Sequence, residues 1–87
     1  MSDAELRKLV REKLSSGLLP RDAARQVLAR YGKGETCDVC GRPTPSSGVV
    51  YEMRLFHGME ARSGLMDLAC FDAWQQERRI AQAASRG

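Results

Sequence analysis

Apolar positions divide the chain into stretches of different period. Leu6, Leu9, Val10 and Leu14 recur at steps of three, one and four residues, which is one face of a helix. Ser2 stands three residues before Glu5, the spacing of a capping box, so this helix is predicted from about Ala4. Arg7, Lys8, Arg11, Glu12 and Lys13 fill most of its remaining surface. Ser15-Ser16-Gly17 ends it, because glycine suits the left-handed cap. Beyond Leu18-Leu19-Pro20, the residues Ala23, Ala24, Val27, Leu28 and Tyr31 again fall at helical steps. They predict a second helix over Arg21 to Tyr31, completing a basic two-helix arm over residues 1–31.

The period changes after Gly32-Lys33-Gly34, a break that makes 32–36 a hinge before a module over 37–87. Two prolines and a glycine keep Arg42 to Gly48 irregular. Val49, Tyr51, Met53 and Leu55 then alternate with Glu52 and Arg54, predicting a strand with one packed face. A loop is expected from His57-Gly58 to Arg62-Ser63-Gly64. Leu65 and Met66, with Leu68 at its limit, form the return strand of an antiparallel hairpin. A last helix starts near Asp67 to Cys70 and runs towards Ala84. Leu68, Phe71, Trp74 and Arg78 lie within helical reach of one another there. Phe71 and Trp74 are expected in the core, with the Arg78 stem laid over them. The fold class is therefore small α+β.

Composition adds a constraint. With 87 residues, 43% of them apolar, one small domain has a marginal core, and a structural metal is a usual staple. Three cysteines do not make the even count of a disulfide framework. Asp3, Glu5, Arg7 and Lys8 interrupt any secretory apolar run, and no run approaches the ~20 residues of a membrane span. A reducing, cytoplasmic setting is expected.

Cys37-Asp38-Val39-Cys40-Gly41 places two thiols where one tight turn can offer both to one ion. With Cys70 they make three donors of a structural Zn2+ site, one ion per chain. Two residues compete for the fourth position. Asp67-Leu68-Ala69-Cys70 repeats the two-residue interval of the first pair and sits at a helix start. His57 offers the commoner ligand chemistry, but a straight strand carries it to the wrong tip of the hairpin. No glycine-rich phosphate loop or paired-carboxylate signature accompanies these residues, so a non-catalytic role is expected.

Net charge is +3, with eight basic and five acidic residues in 1–36 against six of each in 37–87. Arg7, Lys8, Arg11, Arg21, Arg25 and Lys33 are the candidates for a nucleic-acid contact in a transcription-associated role. A protein-interaction adaptor is the alternative, using Leu18 and Leu19 or the outer side of the last helix.

Over residues 37–84 the order of knuckle, hairpin and helix-borne ligand pair resembles the treble-clef zinc fingers. In that resemblance Cys37 and Cys40 match the knuckle, while Asp67 and Cys70 match the first turn of the helix. The carboxylate stands where that family usually has a thiolate or an imidazole.

Overall fold

Ser2 starts the first helix as its spacing predicts. Its Oγ accepts the Glu5 N–H at 3.2 Å, and its hydroxyl donates to the Glu5 carboxylate at 3.2 Å. The computed structural model describes residues 2–86, and α1 covers Asp3–Ser16. Gly17 closes it at φ 83°, its N–H donating to Leu14 O, a conformation that costs a residue with a Cβ about 1 kcal/mol or more. Leu6, Val10 and Leu14 form the buried face.

The second predicted helix is not formed. Residues Arg25–Tyr31 are strand β1, antiparallel to β2 (Val49–His57). Burial does not explain the difference, since Val27, Leu28 and Tyr31 remain exposed in the strand. Backbone pairing does. An isolated helix of eleven residues is marginal, whereas Leu28 to Tyr31 complete the hydrogen-bonding edge of the central strand. Arg30 reinforces the pairing by donating from Nε to Glu52 at 2.7 Å and from a terminal nitrogen to Glu35. The Arg30 guanidinium, bonded to Glu35, holds that carboxyl below its usual range. The regular ladder breaks between Arg25 and Leu28, where Gln26 takes φ 54°, a bulge of the kind that blunts sheet edges.

The hairpin is tighter than predicted. β3 spans Glu60–Asp67, and His57 pairs with Glu60 across a two-residue turn led by Gly58 at φ 65°. Arg62-Ser63-Gly64 belongs to the strand and does not end a loop. Gly64 lies opposite Met53, and a Cβ there would sit 2.6 Å from Leu55 Cδ1. The glycine is needed for packing, not for a bend. Sheet order is β1-β2-β3. Tyr51, Met53 and Leu55 keep the expected inward face, but Val49 is exposed and Val50 is buried outside the main core cluster.

α2 covers Leu68–Arg86 and packs on α1, β2 and β3. Trp74 is fully buried and its Nε1 donates to Pro20 O at 3.1 Å. Tyr51 stacks on Phe71 with centroids 4.5 Å apart, and the Arg78 guanidinium lies 5.7 Å from the Trp74 ring. Leu6, Val10 and Leu14 share one cluster with Cys37, Val39, Cys70 and Trp74, so α1 closes the core that surrounds the cysteines. No helix among the described residues is long and apolar enough to cross a membrane.

Gly32 is where this fold tolerates a side chain least. A Cβ there would lie 2.5 Å from Pro45 O and 2.9 Å from Thr44 Cβ. A backbone oxygen cannot rotate away, so relief requires moving the 42–48 segment. Gly32→Ala is expected to destabilise the protein by about 2 kcal/mol, read from the midpoint of denaturant unfolding.

Candidate metal centre

The first cysteine pair sits at the tip of a short ribbon. Thr36 and Pro43 form an antiparallel bridge, and Thr44 N–H donates to Glu35 O at 2.7 Å. Cys37 N–H then donates to Arg42 O at 2.9 Å, and Gly41 N–H to Cys37 O at 3.0 Å. Gly41 takes φ 73°, the left-handed value this turn requires. Val39, between the cysteines, is buried and anchors the turn in the core.

Two residues with no evident motif hold the knuckle in place. Asp38 donates its N–H to Leu65 O at 2.8 Å and accepts the Leu65 N–H on Oδ2 at 2.7 Å. This fastens the turn to β3. Lys13, in the last turn of α1, donates from Nζ to Val39 O at 2.6 Å and to Asp38 O at 3.2 Å. Both contacts depend on chain segments brought together only by folding, so spacing alone carried no signal for them.

The second ligand pair lies where β3 becomes α2. Asp67 Oδ1 accepts the Cys70 N–H at 2.8 Å, the bond of an N-cap residue to the third helical position. Its Oδ2 lies 3.5 Å from Cys40 Sγ. One carboxylate therefore caps the helix with one oxygen and faces the sulfurs with the other.

The donor atoms of Cys37, Cys40, Asp67 and Cys70 all lie within 4.8 Å of one another. A tetrahedral site with 2.3 Å bonds to sulfur has edges of about 3.8 Å, so a contraction of about 1 Å would bring these atoms to one ion. The donor set and spacing fit a single metal site. Cys37 and Cys70 are buried, while Cys40 and Asp67 keep partial access to solvent, which gives an ion a way in.

The structure does not bring His57 to this cluster. Val50 is the residue paired with Asp67, and His57 is paired with Glu60 at the other end of the hairpin. Seven strand steps at about 3.3 Å separate the two ends by roughly 23 Å. His57 Nε2 is buried there without a hydrogen-bond partner.

The sulfurs influence one another strongly. The hydrogen bond from the Cys70 thiol lowers the Cys37 pKa to about 6 against the opposing effect of burial. The same bond, seen from its donor, pushes Cys70 up, with burial and the charges of Cys37 and Asp67 adding to it. Burial foremost, then the Cys37 charge, raises Cys40. Of the three thiols, Cys37 is thus the one that loses its proton most readily. A divalent cation would favour the thiolate form of all three against burial and mutual repulsion.

The basic candidates have less in common. Arg7 Nε and Arg11 Nε both pair with Glu77 Oε1, at 3.1 and 3.4 Å, and Glu77 is buried. The Arg25 guanidinium lies 5.1 Å over the Phe56 ring. Lys8, Arg21 and Lys33 are exposed. No family model matches this chain, and neither a curated protein nor a solved structure matches it.

Substitution separates the two roles of Asp67. Asp67→Asn keeps an oxygen to cap α2 but replaces the charged donor. It is expected to weaken metal retention at least as much as the roughly 10–100-fold cost of losing an outer-shell partner, measured by chelator competition. His57→Ala is expected to leave retention unchanged, and the reverse pattern would exclude Asp67 as a ligand.

Acid should release the metal. Cys40 and Cys70 must each lose a proton on binding, so affinity should fall by roughly a hundredfold per pH unit as pH drops towards 6. Below about 6 Cys37 is protonated as well, and the dependence should steepen. A competition titration at several pH values gives the slope, and a flat profile would exclude thiolate ligation.

Proposed function

We propose that Cys37, Cys40, Cys70 and Asp67 hold one structural zinc ion in a non-catalytic, protein-binding module of treble-clef type. The observation that supports this most is the convergence of four donors at the junction of the knuckle, β3 and α2. Three thiolates favour zinc over the hard cations magnesium and calcium, which take oxygen ligands. A catalytic zinc keeps a position for water, whereas four protein donors fill a tetrahedron. Two of the sulfurs lie in the hydrophobic core, the setting of a staple. The order of knuckle, hairpin and helix supports the treble-clef resemblance.

A module whose metal does no chemistry acts through its surface. Nucleic-acid binding by the arginines of the first 31 residues is the less supported use. Arg7 and Arg11 share the Glu77 carboxylate, and Arg25 lies over Phe56. Two of the six candidate cations thus share one carboxylate within the protein, which lowers the field available to phosphates.

Elemental analysis of gently purified protein should find one zinc per chain. Its removal by a chelator should expose Trp74 and shift its emission to the red. A chain that is folded without metal and indifferent to chelation would overturn the structural-zinc reading.

A further inference from the structure

The geometry points to the groove between α1 and α2 as a docking site for an amphipathic helix with acidic residues beside its apolar stripe. This deepens, and rests on, the reading of the chain as a protein-binding module. The groove has a volume of about 200 Å³ and is lined by Arg11 and Leu14 of α1, Glu77, Ile80 and Ala84 of α2, and Arg21 from the chain between α1 and β1.

Its walls are helix ridges. Residues 11 and 14 stand three apart on α1, and 77, 80 and 84 stand three and four apart on α2. A third helix presenting apolar residues at i, i+3 or i+4, and i+7 matches such a groove. The volume is below the roughly 300 Å³ at which small-molecule pockets begin, and suits inserted side chains instead. The floor is apolar and partly open: Leu14 is buried, but Ile80 is 53% exposed.

The rim gives the sign of the partner. Arg11 and Arg21 line the groove against the single carboxylate of Glu77, while Arg7 lines a different cavity with Asp3 and Asp72. The lining therefore carries two guanidiniums and one carboxylate, an excess of positive charge. The neighbouring Asp22 lines a different cavity, with Arg25 and Phe56. A nucleic acid would satisfy the rim but leave Ile80 in water. An acidic amphipathic helix satisfies both.

The test uses the full chain, with its zinc content measured on the same sample. The probe is a Leu/Glu peptide of roughly 18 residues, long enough for appreciable helix, with leucines on one face. Controls are a permuted peptide of equal composition, a Leu/Lys counterpart and a duplex oligonucleotide. Saturable binding of the first peptide alone is expected, with NMR shifts centred on Leu14 and Ile80. Ile80→Asp and Arg21→Glu, both at exposed positions, should each weaken binding by about tenfold, while Trp74 emission verifies the fold.

Equal binding of the permuted peptide, or tighter binding of the oligonucleotide, would overturn the assignment. So would absence of binding by a chain that holds one zinc, which leaves the zinc reading standing. Peptide binding unmoved by Ile80→Asp would keep a protein-binding chain and reject this groove. A folded, zinc-free chain that binds through Ile80 would do the opposite, sinking the zinc reading alone.

Discussion

A single carboxylate joins the three parts of this fold. Asp67 is the last residue of β3, the cap of α2 and the neighbour of Cys40. These roles constrain one another. The cap fixes where the helix begins, and so fixes the direction of Cys70. The strand register, through Val50 opposite Asp67 and Leu65 bound to Asp38, fixes where the knuckle can sit. A shift of one residue in β3 would send Asp67 to the other face of the sheet and dismantle the donor cluster. The turn at Gly58 therefore matters to a site at the opposite end of its hairpin, because it sets that register.

The core is small, and the cysteines are part of it. Cys37 and Cys70 pack in one cluster with Val39, Met66, Trp74 and the inner face of α1. Uncharged thiols are good core residues. Thiolates are not, and the charge on Cys37 is accommodated first by its bond from Cys70 and then by the backbone N–H groups of Cys40, Asp67 and Val39. A divalent cation at the cluster would change this balance by stabilising several thiolates at once. The buried Glu77 poses a similar problem on α2. Its carboxylate is tolerated because two guanidiniums from α1 meet it, since an unpaired charge at that depth costs several kcal/mol. The ion pairs thus specify how α1 lies on α2.

Much of this was legible where the signal is local. The capping pair Ser2 and Glu5, the Leu6/Val10/Leu14 stripe and Gly17 defined α1 because each acts within a turn of its neighbours. The repeated interval in Cys37/Cys40 and Asp67/Cys70 identified the converging residues, because helix and knuckle each bring such pairs to one side. The error at Arg21 to Tyr31 has the opposite cause. Those residues fit a helical period, yet they serve as the edge of a sheet whose centre lies about twenty residues away. Gly64 was misread for a related reason. A glycine that makes room for Leu55 cannot be told from a glycine that makes a loop until the facing strand is known. Asp38, Lys13 and Glu77 were invisible for want of a partner in sequence.

The last helix connects these features. Cys70, Trp74, Glu77, Ile80 and Ala84 follow one another at steps of three and four along α2, over about 21 Å at 1.5 Å per residue. One end of that line carries a candidate metal donor, the middle packs against α1, and the far end walls the outer groove. A helix moves as a rod over such a distance. Fixing its first turn through Cys70 and the Asp67 cap therefore limits where Ile80 and Ala84 can stand relative to Leu14. Ligation at the first turn of α2 would thus govern a surface four turns away, because the same helix supplies both.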